Sequence, residues 1–196
     1  MTAAVAVLSY LFGAIPTGYL LFRWSERKDI RKFGSQSIGA TNVLRLKGWK
    51  YGAIVVLFDF FKGFLPVFIA DRLFEDPLFT ALCGLLSVIG HCYPVFIRFR
   101  GGKGVATTVG VYAGIAVTPL LIILSLFLIV VLVTRYVSLS SLTAAACYPL
   151  AALLSGENRY AIILGLVLFA LIAFQHRSNI QRLIQGNEHK IGENRQ

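Results

Sequence analysis

Charge is scarce in this chain. Only 14% of its 196 residues are Asp, Glu, Lys or Arg, where soluble domains carry about 25%. With 57% hydrophobic residues and a mean hydropathy of +0.73, that scarcity excludes an ordinary soluble domain. It also excludes disorder, which requires low hydrophobicity. Acidic residues are the rarer sign, nine against nineteen basic ones, for a net charge of +10. Positive charge gathered into a few polar segments implies anionic partners such as lipid headgroups or phosphates. Cysteine is nearly missing. Cys83, Cys92 and Cys147 are odd in number and lie in or beside apolar runs. They offer neither a disulfide framework nor metal-ligand spacing, and read as packed thiols. The first apolar run lacks a basic segment before it and a small-x-small cleavage site. It therefore reads as a retained helix rather than a leader. The length fits one domain, 1–196, solvated by lipid.

What fills the chain is apolar runs: 3–22, 51–70, 78–97, 105–134, 139–154 and 160–175. A spanning helix needs about 20 such residues, with roughly 17 as a lower limit. The run 105–134 is too long for one crossing, and Thr118-Pro119 near its middle disfavours a continuous helix. It is predicted to split into 105–117 and 119–134 about a tight turn. Seven crossings then put sixteen of the nineteen basic residues on one face, among them the cluster in 23–50, Arg98, Arg100, Lys103, Arg135 and the tail residues Arg177, Arg182, Lys190 and Arg195. By the positive-inside rule that face is cytoplasmic. The expectation is an all-α integral membrane protein with seven transmembrane helices, N-terminus outside and C-terminus cytoplasmic.

Three polar segments fall on the basic face. The first runs Gly34-Ser35-Gln36-Ser37-Ile38-Gly39-Ala40-Thr41-Asn42-Val43-Leu44-Arg45. Its small residues let backbone N–H groups approach an anion, and Arg45 offers a bidentate fork for phosphate. It reads equally as an interfacial loop leading to a helix capped by Thr41 or Asn42. The second holds Gly90-His91-Cys92-Tyr93-Pro94 and Arg98-Phe99-Arg100-Gly101-Gly102-Lys103-Gly104, opening into a helix. A glycine turn feeding a helix N-terminus suits an anion. It is not a Walker loop, because Gly104 follows Lys103 where Ser or Thr is needed and no strand precedes it. The third is the tail, with His176, Arg177, Ser178, Asn179, Arg182, Gly186, Glu188, His189 and Lys190. Asp59 and Lys62, three apart on one helix, read as a buried pair or as a transport feature. Gly110 and Gly114 read as close helix packing, and Ser138, Ser140 and Ser141 open a helix on the same face with no assigned role.

Together these segments resemble the bacterial acyl-phosphate:glycerol-3-phosphate acyltransferase family, the PlsY type. The matching residues are Gly34-Ser35, Gly39 through Asn42 and Arg45; Gly90-His91, Pro94 and Gly101 through Thr107; and His176, Arg177, Asn179-Ile180, Arg182, Gly186 and Glu188. The match departs at Gln36-Ser37, where the family pattern has Gly-Asn. The resemblance implies transfer of an acyl group from a fatty acyl phosphate to the sn-1 hydroxyl of glycerol 3-phosphate, giving lysophosphatidic acid and phosphate. It implies a bacterial inner-membrane enzyme of phospholipid synthesis with a cytoplasmic site, no cofactor or metal, no nucleic acid and no obligatory protein partner. The expected catalytic residues are Ser35, Arg45, Lys103, His176 and Asn179. Gly39, Thr41, Asn42, His91, Gly101, Gly102 and Gly104 are expected to bind substrate, the glycine N–H groups cradling the leaving phosphate, and Glu188 to be structural. Arg45 and Lys103 would neutralise phosphate charge, while Ser35 or Asn179 would face the oxyanion. His176 is the candidate base, with a substrate phosphate as the alternative proton acceptor. The rival reading is a small polytopic transporter of an anionic solute, which Asp59 and Lys62 support.

Overall fold

The computed structural model describes residues 1–192; Arg195 lies outside them. Among the described residues all regular structure is helical, and the chain divides into two compact units, Met1–Ile115 and Ala116–Gln196.

The first unit contains α1 (Thr2–Gly13), α2 (Thr17–Glu26), α3 (Ala40–Lys47), α4 (Trp49–Phe74), α5 (Pro77–Cys92) and α6 (Val105–Ile115). The run 3–22 is thus two helices rather than one. Pro16 brings no N–H to the ladder and pushes Ile15 out of the helical region, so α1 ends before it and α2 begins after it. At 26 residues α4 is about 39 Å long, enough to cross a hydrocarbon core of about 30 Å. The start of α5 combines Pro77 in its first turn with Asp76 as N-cap, the carboxylate accepting from the Leu78 and Phe79 N–H groups.

Glycine brings these helices to backbone contact. A Cβ on Gly13 would enter the Ser87 carbonyl of α5, and one on Gly90 the Tyr10 carbonyl of α1. Gly63 of α4 backs onto the Thr107 carbonyl of α6, and Gly110 of α6 onto the Phe60 carbonyl of α4. Gly114 faces the Val67 side chain, so the close packing expected of Gly110 and Gly114 is found. At 11 residues α6 is about 16 Å long, about half of a hydrocarbon core of roughly 30 Å, so a crossing there requires the bilayer to thin locally.

The second unit holds α7 (Val117–Thr134), α8 (Val137–Leu154), α9 (Arg159–Gln175) and α10 (Arg177–Ile184). The break in the 105–134 run lies at Ala116, not at Thr118-Pro119. Pro119 is the third residue of α7, where its missing N–H has no intrahelical partner to lose. The α7–α8 joint is Arg135-Tyr136, short enough that the helices turn back on each other, and α9 packs on α8. Asn158 caps α9 through the Tyr160 and Ala161 N–H groups. The α9–α10 pair bends by 65° at His176.

Five segments are long and apolar enough to cross a membrane: Thr2–Glu26, Trp49–Phe74, Pro77–Ile97, Val117–Thr134 and Val137–Leu154. The bent pair Arg159–Gln175 with Arg177–Ile184 makes a sixth when taken as one span. Outward-facing Leu132, Val133 and Leu154 are more than three-quarters exposed, a surface suited to lipid rather than water.

Candidate functional site

Within the first unit, the loop before α3 is wound around one side chain. Asn42 is 1% exposed. Its Oδ1 accepts from the Ser35 N–H at 2.9 Å, while its Nδ2 donates to the Phe33 and Ser37 carbonyls at 3.1 and 2.7 Å. Gly34 at φ +56 lies so close to this amide that a Cβ would collide with it, and Gln36 is also left-handed at φ +59. Asn42 therefore scaffolds the loop. It does not cap α3: the helix starts at Ala40, behind Gly39, without a side-chain cap. Thr41 and Arg45 stand one turn apart and exposed, with Ser35 half-buried before them. Arg31 anchors this region to the turn after α5. It donates to the Ile97 carbonyl at 3.2 Å and to the Asp29 carboxylate at 2.7 Å, and those hydrogen bonds hold the Asp29 carboxyl below its ordinary value.

The glycine loop is tied down in the same unit. The Gly101 N–H donates to the Cys92 carbonyl and the Gly102 N–H to the His91 carbonyl, each at 3.1 Å. They satisfy two of the carbonyls that the end of α5 leaves over. Those two N–H groups, expected to cradle the leaving phosphate, are engaged by carbonyls of the protein in this structure. The N–H groups left without a helical acceptor come from the next residues. Gly104, at φ +82, starts the ladder by accepting from the Thr108 N–H at 2.8 Å, and the helix itself gives the Val105, Ala106 and Thr107 N–H groups no acceptor. His91 is buried as well. It is 6% exposed, its Nε2 edge lies against Gly102, and its Nδ1 faces Asp59 on α4. Lys103 is half-buried on the loop.

The second unit has its own polar cluster. Glu188, 5% exposed, accepts at Oε1 from Asn179 Nδ2 (2.7 Å) and Ser138 Oγ (3.1 Å), and at Oε2 from Arg182 Nε (2.8 Å). Burial pushes its carboxyl up, but the bonds from Asn179 and Arg182, the Arg182 charge and the Ser138 bond outweigh it, so it stays below the ordinary 4.5. The tail also pairs with the α7–α8 joint, where the Ile191 N–H donates to the Arg135 carbonyl at 2.9 Å and Arg135 Nη2 to the Ile191 carbonyl at 2.6 Å. His176 is buried at the bend, its Nδ1 2.9 Å from the Ile172 carbonyl. A carbonyl can only accept, so Nδ1 carries the proton and neutral His176 keeps its lone pair on Nε2. Ser140 and Ser141 spend their hydroxyls on the Tyr136 and Val137 carbonyls one turn back.

Along the chain, the profile of the family described as glycerol-3-phosphate acyltransferase matches residues 3–186. The chain belongs to the glycerol-3-phosphate acyltransferase family. It is 43% identical over 189 residues to the glycerol-3-phosphate acyltransferase of Syntrophomonas wolfei, covering 96% of each. The protein of that name from Staphylococcus aureus is 40% identical over 199 residues, with 97% of this chain and 98% of the relative covered. A crystal structure of PlsY (YgiH), an integral membrane glycerol 3-phosphate acyltransferase in its glycerol 3-phosphate form, superposes with a TM-score of 0.94. It is 40% identical, with 97% of this chain and 96% of that one covered. Its lysophosphatidic acid form gives 0.91 at 39% identity, with 97% and 95% covered.

Membership in the glycerol-3-phosphate acyltransferase family makes this an integral membrane acyltransferase and places it in phospholipid biosynthesis. Three family-motif side chains hold the fold locally rather than standing outward: Asn42, His91 and Glu188. Two features escaped sequence reasoning. Arg31 bridges two segments, although among eight basic residues in 23–50 nothing in the pattern singled it out. Ser138 anchors Glu188 across 50 residues; its only signal was a hydroxyl at the start of an apolar run.

Proposed function

We propose that this acyltransferase takes its acyl group from a fatty acyl phosphate and transfers it to the sn-1 hydroxyl of glycerol 3-phosphate, releasing lysophosphatidic acid and inorganic phosphate. The observation that carries the reading is the N-terminus of α6, where Gly104 turns the chain at φ +82 just after Lys103 and the Val105–Thr107 N–H groups have no acceptor within the helix. A leaving phosphate gains from those donors, the helix dipole and the ammonium together. Arg45, with Thr41 one turn away and Ser35 before it, suits the second dianion, glycerol 3-phosphate. The match to structures of glycerol 3-phosphate and lysophosphatidic acid forms along nearly the whole chain supports that acceptor and product.

The nucleophile is the acceptor's own hydroxyl. It attacks the acyl carbonyl carbon, the C–O bond to phosphate breaks, and the phosphate leaves with that oxygen. His176 is the base that takes the hydroxyl proton, at Nε2, the ring nitrogen that does not bond the Ile172 carbonyl. Asn179 is the amide donor to the carbonyl oxyanion. The reading treats residues 1–196 as one catalytic domain of the bacterial inner membrane. It has seven crossings, the N-terminus outside and the site facing the cytoplasm, in keeping with the basic segments around Arg45, Lys103 and Arg182.

Purified protein given glycerol 3-phosphate with palmitoyl phosphate, and in parallel with palmitoyl-CoA, tests the donor. Lysophosphatidic acid and phosphate are expected from the acyl phosphate only. Product from the CoA ester alone would keep the acyltransferase and reject the donor.

A further inference from the structure

A buried charge cluster stands behind the glycine loop and takes no part in the chemistry above. Asp59 and Lys62, one turn apart on α4, are each 3% exposed and are joined by a 2.5 Å ion pair. The same Asp59 Oδ1 lies 3.8 Å from His91 Nδ1, an electrostatic contact longer than a hydrogen bond. At the other edge of that ring, Nε2 lies against Gly102 so closely that a Cβ there would collide. The contacts continue into the loop, since the His91 and Cys92 carbonyls hold the Gly102 and Gly101 N–H groups. One residue beyond Lys62, Gly63 backs onto the Thr107 carbonyl of α6. So α4 meets the loop region twice, through His91 at Gly102 and through Gly63 at the first turn of α6. Burying two charges in a membrane helix is costly, and a well-packed apolar pair of similar volume can hold two helices as well. Stability alone therefore does not explain the cluster.

We infer that Asp59, Lys62 and His91 are positioning residues for acyl transfer. The Asp59 carboxylate, balanced by Lys62, turns Nδ1 of His91 toward itself. The ring then fixes the Gly102 backbone, and with it the pose of Lys103 and the N-terminus of α6. None of the three touches substrate. The inference rests on the reading of this loop as the donor's phosphate site.

The test is steady-state kinetics of full-length His91→Gln, Asp59→Asn and the double variant Asp59→Asn/Lys62→Met, with KM measured separately for palmitoyl phosphate and glycerol 3-phosphate and Tm recorded for each. The two single variants are expected to raise KM for palmitoyl phosphate by about tenfold, the scale of a small misplacement at a reacting centre, and to leave KM for glycerol 3-phosphate within about twofold. The double variant recovers part of the Asp59→Asn loss, because it removes the ammonium left unpaired. A rise confined to glycerol 3-phosphate would keep the positioning role and overturn the assignment of the loop to the donor. Unchanged KM for both substrates would overturn the inference, whether kcat is also unchanged or falls in step with Tm. If Asp59→Asn does not fold, His91→Gln and Asp59→Glu carry the same comparison, the latter expected to restore the wild-type KM.

Discussion

Glu188 gathers Ser138, Asn179 and Arg182 onto one carboxylate, and its removal leaves three donors without an acceptor. Glu188→Ala is expected to cost about 2 kcal/mol, after discount for the one-third exposure of Arg182, read as a fall in Tm. The pH dependence follows from its lowered carboxyl. The stability it adds is complete above the unfolded value near 4.5 and is lost as pH falls through the folded value. The Tm gap between wild type and Glu188→Gln should therefore be flat at neutral pH and close below about pH 4.5. A gap unchanged at low pH would show that the charge is not the source. Asn42→Ala should release the Ser35–Ser37 turn at a cost of about 1–3 kcal/mol and raise KM for glycerol 3-phosphate. At this scale the sequence marked polar residues without marking the partners that hold them. Asn42, His91 and Gly102 lie in motifs that attracted attention as ligands, yet each is consumed by a neighbour in three dimensions. A motif reports that a residue type is needed, not whether its polar atoms point at substrate or at the loop carrying it.

Helices could be located from apolar runs because a lipid-facing surface leaves little other choice of composition. Their ends were harder to find. Pro16 breaks the first run although it lies inside an unbroken apolar stretch, whereas Pro119 sits harmlessly in the first turn of α7. The same residue type stops a helix or starts one according to where the neighbouring N–H groups go. The packing of α4 on α6 was half legible, since Gly110 and Gly114 signal close approach but do not name Phe60 and Val67 as the surfaces approached. Gly110→Val should push α6 off the Phe60 carbonyl and destabilise the protein by about 1–3 kcal/mol. A Tm within error of wild type would mean that these helices do not depend on backbone contact.

Across the whole chain, the proposed topology rests on charge asymmetry, because basic residues rather than apolar length decide which loops stay in the cytoplasm. With native cysteines replaced, Glu75→Cys and Glu157→Cys should react with a membrane-impermeant maleimide in intact spheroplasts, and Lys28→Cys and Asn187→Cys only after lysis. Labelling of Asn187→Cys in intact spheroplasts would give an even number of crossings instead of seven. The family could be read from the sequence because its three motifs recur in order. The Arg31, Arg135 and Ser138 contacts could not, since each joins residues at least 50 apart. Direct transfer is tested by an acid-quenched single turnover with radiolabelled palmitoyl phosphate, with and without glycerol 3-phosphate. Without acceptor, the prediction is no phosphate release and no label on protein; with it, phosphate and lysophosphatidic acid form in equal amounts. A burst of phosphate with label bound to the protein in the absence of acceptor would contradict it.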